Sequence, residues 1–349
     1  MSISRPEDRY IRQSQFAAIG ESGQHNIENA DVAILGCGAL GSVAAELLAR
    51  AGVGRLRLID RDLVEWSNLQ RQSLYDEADA IAASAKAEAA AKHLRRINSS
   101  IQIGEHVVDI TSWNIDEHLR GCDLVIDASD NFGLRLLLND WSLANQTPWV
   151  HGGCVGASGQ VHLFQGDSPC FRCLLPQAPA PGETETCDTA GVIGPATHLI
   201  ASLQACEALK WISGNRNAVS TNVQSIDLWT NQMRSISMAS CVQTNCVACG
   251  QGRYDFLNAT EESSEQSQTL CGRNAVQITG RTDVNRSIDL TRIATAWAKV
   301  GKVQSSRFFV RLILSENQSL TLFRDGRAVI NGVRDIPHAR SLYDRYVGS

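Results

Sequence analysis

The sequence predicts an α/β protein: a Rossmann-like, doubly wound sheet, mostly parallel with an antiparallel extension, plus a small C-terminal α+β domain. Three observations carry this. From Asp31 to about Trp149 short apolar runs alternate with helical patterns, and such alternation packs as a parallel sheet with helices on both faces. The stretch ADVAILGCGALGSVAAELLARAGVGRLRLIDRD, residues 30–62, holds Gly36, Gly38 and Gly41 in the spacing G-x-G-x-x-G, with Asp60 nineteen positions after the last glycine. A polar stretch around NATEESSEQSQ then sets off a tail with an apolar pattern of its own.

Each element follows in order. Residues 1–30 read as one or two polar-faced helices around GESG. VAILG, SVAAELLARAG and LRLID give strand, helix, strand; AKAEAAAKHLRRIN is a strong helical pattern; DLVIDASD, FGLRLLLNDWSLANQ and PWVHGG give strand, helix, strand. GQVHLF, SIDLW and RSISM are placed as antiparallel additions. The boundaries are 1–253 for the first domain, 254–269 for a linker and 270–349 for the second domain. The latter reads as a strand AVQITG, a helix LTRIATAWAKVG, strands RFFVRLIL and LTLF, and a turn at Asp325-Gly326 into RAVIN. A terminal helix HARSLYDRYV closes the chain. An Asp-Gly dipeptide between apolar runs is a hairpin signal.

Composition narrows the class. The chain has 349 residues, is 43% hydrophobic and 20% charged, with net charge −5. A net negative charge offers no field for nucleic acid or an anionic membrane. No apolar run reaches the roughly 18 residues a membrane helix needs. MSISRPEDRYIRQ lacks the apolar core of a secretory signal. Eleven cysteines, an odd count without a signal, point to reduced thiols in a cytoplasm, used for metal binding or thiol chemistry.

The glycine loop fits any nucleotide with ribose and phosphates. Gly36 and Gly38 let backbone N–H groups approach phosphate at a helix N-terminus, and Asp60 can accept from ribose hydroxyls. A glycine-rich turn with no ligand is the bland alternative. What separates ATP from NAD lies downstream: DRDLVEWSNLQRQSLY puts Asp62, Asn68, Arg71 and Gln72 beside the loop, and Lys86 follows. Hydride transfer needs no cations there, whereas cleaving a triphosphate does. Asp130, ending DLVIDASD, can hold Mg²⁺ at the edge where open α/β sheets place ligands. Taken singly, Arg71 reads equally as a surface ion pair and Asp130 as a helix cap.

PCFRCLLP and NCVACG supply Cys170, Cys173, Cys246 and Cys249 as two C-x-x-C knuckles. Two knuckles make a closed four-thiolate zinc site, structural rather than catalytic. Redox pairs or unrelated cysteines are the alternative.

Together RYIRQ, GCGALGS, AGVGRLRLIDRD, SNLQRQ, ASDN, the paired knuckles and CDTAGVIGP resemble the ThiF/MoeB group, bacterial relatives of the ubiquitin-activating enzymes. The resemblance runs from about Arg9 to Gly250. It implies adenylylation of the C-terminal glycine carboxylate of a small ubiquitin-like sulfur carrier ending in Gly-Gly, with Mg-ATP and release of pyrophosphate. It assigns Gly38 and Gly41 to the phosphate loop, Asp60 to ribose, Asn68, Arg71 and Lys86 to the phosphates, and Asp130 to magnesium. Arg12 matches an arginine that such homodimers insert into the neighbouring subunit's site. The four knuckle cysteines match zinc ligands, and Cys187 matches a crossover-loop cysteine that joins the carrier covalently in some members. A sulfurtransferase or cysteine desulfurase is the implied sulfur source, and thiamin, molybdopterin and thiolated tRNA are the pathways such carriers serve.

The chemistry agrees with what the sequence lacks. A C-terminal carboxylate, with a pKa of about 3.3–3.7, attacks without a general base, so no Ser-His-Asp set is needed. His151, His162 and His198 read as structural. Cys187, among Pro, Gly and Thr, is expected on an exposed, mobile loop, whereas Cys37 and Cys154 sit in tight glycine turns. The region before Lys86, IAASAKAEAA, lacks the glycine the family pattern places there. The C-terminal domain holds LCGRNAVQI but no glycine-rich cysteine loop of the rhodanese kind, so Cys271 reads as a small buried residue and the domain as carrier docking or dimer support. Two other classes stay open at this level: an NAD-dependent oxidoreductase and a non-catalytic carrier-binding relative.

Overall fold

The structure, a computed structural model, describes residues 6–179, 183, 187–259, 267–270, 274–278, 288–333 and 335–348. The described chain divides into two compact units, 1–258 and 259–349.

In the first unit, eight strands run β1 Asp31–Leu35, β2 Arg55–Ile59, β3 Gln102–His106, β4 Leu124–Asp127, β5 Trp149–Val155, β6 Ser158–Phe164, β7 Asn222–Asp227 and β8 Gln232–Ser237. They form one sheet in the order β3-β2-β1-β4-β5-β6-β7-β8. Pairings from β3 through β5 are parallel and those from β5 to β8 antiparallel. The expected antiparallel extension is therefore present. Its longer helices are α1 Gly20–Asn29, α2 Ala39–Ala51, α3 Lys86–Ile97, α4 Phe132–Asn145 and α5 Gly194–Ile212.

The apolar runs are continuous because the parallel strands are covered on both faces. Alternation in β1 sends Val32 and Ile34 to one side, where they pack with Leu48, Leu94 and Ala205 of α2, α3 and α5. Ala33 and Leu35 go to the other side, against Leu136, Leu138 and Trp141 of α4. Strand order reverses at β1, which pairs with both β2 and β4. Open α/β sheets bind ligands beyond the carboxyl ends of the strands at such a point.

The second unit is an antiparallel sheet in the order β11-β12-β13-β14-β10-β9. Its strands are β9 Ser267–Leu270, β10 Ala275–Ile278, β11 Lys302–Ser305, β12 Phe309–Ser315, β13 Gln318–Phe323 and β14 Ala328–Asn331, with helices α6 Leu290–Trp297 and α7 Ile336–Tyr346. The Asp325-Gly326 turn is as expected, Gly326 taking φ of +88°. Val276, Leu312, Leu320 and Ile330 form the core with Trp297, whose Nε1 donates to Tyr346 O at 2.9 Å and so ties α6 to α7. Cys271 lies outside the described residues. No helix among the described residues is long and apolar enough to cross a membrane.

Candidate nucleotide site and cysteine clip

What the neighbours forbid builds the glycine turn. Gly36 leaves β1 with φ of +89°, and a methyl group there would stand 2.8 Å from Ala128 O. A methyl at Gly41 would stand 1.8 Å from Gly36 O, so α2 starts flush against the turn only because residue 41 has no side chain. Gly38 differs. Its φ is −79°, and an added methyl would meet only Gln72 Nε2, at 3.8 Å. Protein contacts do not demand glycine at 38; a ligand lying against it would.

Asp60, just after β2, pins this turn: Oδ2 accepts from Cys37 N at 2.6 Å and Oδ1 from Asp62 N at 2.7 Å. Burial raises its pKa, with Asp62 adding to the effect and Lys86 opposing it. Each oxygen keeps a lone pair for a ribose hydroxyl. Lys86 opens α3 with its side chain 5% exposed, Nζ standing 3.2 Å from Asp62 Oδ2. Arg61 reaches Asp109 at 3.0 Å. Burial works to lower the Arg61 pKa, but Asp109 and Asp62, helped by Asp130, raise it overall.

Asp130 is exposed beyond the carboxyl end of β4. It is not the cap of α4. Asn131 is, its Oδ1 accepting from Gly133 N at 2.8 Å and Leu134 N at 3.3 Å. The Asp130 carboxylate accepts no hydrogen bond among the described residues, and a hard, exposed oxygen donor suits Mg²⁺ completed by phosphate oxygens. Beneath it Asp127, fully buried, accepts from Ser129 N (3.1 Å), Ser129 Oγ (2.6 Å), Arg135 Nε (3.1 Å) and His151 Nδ1 (3.0 Å). Burial would raise the Asp127 carboxyl, yet Arg135 and these bonds hold it below its usual range. Burial also lowers His151, so the imidazole is neutral and Arg135 carries the charge.

The segment after β2 runs alongside the turn. Tyr75 OH donates to Cys37 O at 2.7 Å and Lys86 O at 3.2 Å. Asn68 is buried, its Oδ1 accepting from Glu65 N at 3.1 Å to close a helical turn. Arg71 is half-buried, and its Nη1 donates to Ser67 O at 2.8 Å. Arg12 stands elsewhere. It is exposed in a short helix, donating to Gln15 Oε1 at 3.1 Å, while Gln13 Nε2 beside it donates to Ala51 O at 2.9 Å. Asn98 Nδ2, just past α3, donates to Tyr10 OH at 2.8 Å. The arm is thus anchored where α2 and α3 end, and the glycine turn lies where α2 begins. Thirteen residues of helix put roughly 20 Å between those ends.

Cys187, expected on an exposed, mobile loop, begins a four-residue helical turn, Cys187–Ala190; its side chain lies outside the described residues. Gly191, with φ of +75°, ends that turn, and Gly156 N donates to Gly191 O at 2.8 Å. Of the other cysteines, Cys37 is fully buried and Cys154 partly so. His198 donates along α5 to Gly194 O, and His162 is buried.

The sulfurs of Cys170, Cys173, Cys246 and Cys249 all lie within 4.8 Å of one another, with 3.7 Å between Cys170 and Cys246 and 3.5 Å between Cys173 and Cys249. A tetrahedron with Zn–S bonds of about 2.3 Å has edges of about 3.8 Å. Zinc therefore fits. Burial opposes ionisation of Cys246, but backbone N–H groups at Cys249 and Ala248 bring its thiol down to about 7. The clip is docked on α4: Asn139 Oδ1 accepts from Phe171 N at 2.9 Å and Asp140 Oδ2 from Phe256 N at 3.0 Å. In a second His/Asp cluster, Asp76, Asp79 and His93, the two aspartates form a capping box for the helix Glu77–Ala82 and His93 Nε2 stands 2.7 Å from Asp79 Oδ2.

A doubly wound sheet with a glycine cradle at its switch point and a four-thiolate clip beside it defines a Rossmann-type nucleotide-binding protein. Within that class the chain belongs to the ThiF family, whose model matches residues 10–248. It is 40% identical over 341 residues to the sulfur carrier protein ThiS adenylyltransferase of Bacillus subtilis, covering 97% of this chain and 99% of that one. It is 36% identical over 249 residues to a sulfur carrier protein adenylyltransferase of Thermus thermophilus, covering 70% of this chain and 90% of that one. Among solved structures, E. coli MccB with ATP superposes with a TM-score of 0.61 at 24% identity over 70% of this chain and 75% of that one, a likeness of fold.

Proposed function

We propose that this protein adenylylates the C-terminal glycine carboxylate of a small ubiquitin-like sulfur carrier, using ATP and releasing pyrophosphate. The observation that carries the reading is the cradle: Gly38, where an added methyl would meet only Gln72 Nε2 at 3.8 Å, with buried Lys86 paired to half-buried Asp62 beside it at the sheet's carboxyl edge. The full-length likeness to a ThiS adenylyltransferase supports a carrier as the substrate.

Phosphates lie against Gly38 and the N-terminus of α2, with Gly36 and Gly41 shaping the turn, and the ribose takes Asp60. Lys86, Asn68 and Arg71 of one chain, with Arg12 of a second copy in a homodimer, bind and orient the triphosphate. The carrier's carboxylate is ionised at neutral pH. Its oxygen forms the bond to the α-phosphorus, the bond from that phosphorus to the bridging oxygen breaks, and pyrophosphate leaves with the electron pair. No proton moves, so positioning and charge neutralisation suffice. Magnesium held through Asp130 would neutralise charge on the departing pyrophosphate. Zinc held by Cys170, Cys173, Cys246 and Cys249 would be structural. The Cys187 thiolate attacks the acyl-adenylate carbonyl, the bond to the adenylate oxygen breaks and AMP leaves with the electron pair, giving a thioester; a sulfurtransferase or cysteine desulfurase is the sulfur source.

Strand β8 suits carrier docking. It is an edge strand exposed along its whole length, carrying Met233 (73% exposed) and Ile236, with Trp229 (79%) before it, and an open edge is a ready surface for a partner. Residues 1–253 form the adenylylating domain and 270–349 a docking or dimer-supporting domain. The test is ATP–pyrophosphate exchange with a Gly-Gly-terminated carrier and with the same carrier lacking its last glycine. Exchange with the first alone is expected. Equal exchange with both, or NAD bound more tightly than ATP, overturns the reading.

A further inference from the structure

Gln72 is 3% exposed and sits on the segment that runs beside the glycine turn. Its backbone is committed locally: the N–H donates to Asn68 O at 3.0 Å and the carbonyl accepts from Tyr75 N at 3.2 Å. Its side chain is not committed. Oε1 is buried without a hydrogen-bond partner, and among the described residues Nε2 donates to nothing. Of these two atoms, the one that can meet an anion is Nε2, whose hydrogens have no acceptor among the described residues; Oε1 can only accept.

The direction is specific. Apart from Gly38 and its two chain neighbours, Gln72 Nε2 is the single atom among the described residues within 4 Å of where a methyl on Gly38 would stand. The wall facing the bare glycine is therefore an N–H₂ group, which donates and cannot accept. Tyr75, three residues on, is tied by its hydroxyl to Cys37 O and Lys86 O, so the segment that carries Gln72 is fixed to both sides of the cradle.

We infer that Gln72 is a phosphate-binding residue, its Nε2 donating to a phosphoryl oxygen that lies against Gly38. This deepens the adenylylation reading and rests on it for the identity of the ligand. Being uncharged, Gln72 supplies direction rather than field, so its contribution persists at salt concentrations that screen exposed arginines.

The test compares wild type with Gln72→Met, close in size but without the amide, by calorimetry with a non-hydrolysable ATP analogue and with adenosine, alongside urea unfolding of the free protein. The variant is expected to bind the analogue roughly 10-fold more weakly, as loss of a hydrogen bond to a charged group would give. Adenosine affinity should be unchanged. The free variant should be at least as stable as wild type, because it removes an unpaired buried amide; a purely structural glutamine would show the reverse. Gln72→Glu, which keeps the shape and sets a carboxylate against phosphate, should lose more. Unchanged analogue affinity in either variant, or equal weakening of analogue and adenosine, overturns the inference and leaves adenylylation standing. Wild type that binds neither ligand removes both.

Discussion

Lys86 Nζ stands 3.2 Å from Asp62 Oδ2, the lysine 5% exposed and the aspartate 26%. The pair holds a cation at the cradle before any phosphate arrives and gives it a carboxylate to trade away. In the adenylylation reading, removing only the lysine leaves Asp62 beside the triphosphate with its nearest cation gone and Arg61 Nε, 3.9 Å from Oδ1, as a remaining ion-pair partner. Lys86→Met should therefore lower carrier-dependent pyrophosphate exchange by roughly 100-fold or more, and adding Asp62→Asn should recover part of that loss. A double-mutant cycle in exchange rate checks it; strictly additive losses would mean the pair is not a functional unit.

Gly38 and Gly41 should respond oppositely to one methyl group. Gly41→Ala forces a contact of 1.8 Å with Gly36 O, so it should cost several kcal/mol or prevent folding, as backbone overpacking does. Gly38→Ala meets nothing closer than 3.8 Å and should unfold within about 0.5 kcal/mol of wild type while losing ATP affinity. Urea titration and calorimetry on the two variants separate fold from ligand.

Acid should unfold the protein in two stages. Burial holds His151, His162, His106 and His118 below the ordinary imidazole range. In the unfolded chain these rings take up protons near pH 6.5, before the folded ones do. Stability is thus fully present above that pH and is lost as pH falls through the lower folded values. Asp127, its carboxyl held down by Arg135 against the effect of burial, adds a second loss below about pH 4, its unfolded value. The unfolding free energy from urea titration should stay level from pH 7.5 to about 6.5 and fall from there to pH 5, and His151→Asn should flatten part of that slope. A level profile across this window would contradict the assignment of neutral buried rings.

These networks show where sequence reading stops. The glycine spacing and the C-x-x-C knuckles are legible because their geometry is local. Asp127, Arg135 and His151 are eight and twenty-four positions apart, joined only when β4 pairs with β5 and α4 begins beside them. An arginine in FGLRLLLND reads as a surface residue on any helical pattern. α5, nineteen residues long, gives no amphipathic signal because Ile200, Ala201 and Ala205 on it pack into the core while Leu199 and Leu203 are also partly covered. Strand β3 is hidden by a short edge position and by Gly104 in its middle.

The cysteine clip should contain about one zinc per chain. Binding energy at a structural site is folding energy, so Cys173→Ser should cost about 3 kcal/mol or more and release the metal. Phe171 and Phe256, held against Asn139 and Asp140, should loosen with it. Metal analysis of freshly purified protein and thermal unfolding of the variant check this, and a metal-free wild type would refute it.

Arg12 is anchored at the far end of α2 from its own glycine turn, so it should serve a neighbouring chain. In the proposed reading the protein acts as a homodimer, each cradle completed in trans. Arg12→Ala and Arg71→Ala should each lose exchange activity alone, and mixing them should restore about a quarter of it, from hybrid dimers with one intact site. Lack of rescue in a mixture shown to exchange subunits would place Arg12 outside the site.

Cys187 opens a helical turn that ends at Gly191, and the segment after that turn is tied back to the sheet at Gly156. Gly194, at the start of α5, in turn packs against Gln70 O, next to Arg71. The chain that carries the thiol therefore returns beside the nucleotide cradle, where the acyl-adenylate would form. Adenylylation uses the carrier's own carboxylate and needs no thiol, so Cys187→Ala should retain ATP–pyrophosphate exchange within about two-fold. Any covalent link needs a nucleophile within reach of the activated carbonyl, and thiolate is the group suited to that attack. The same variant should then form no thioester or persulfide-linked complex with the carrier. Intact-mass spectrometry after incubation with carrier, ATP and a sulfur donor reads the result directly. An adduct mapped to Cys154, Cys206 or Cys241, or full sulfur transfer by the variant, would leave Cys187 without a catalytic part.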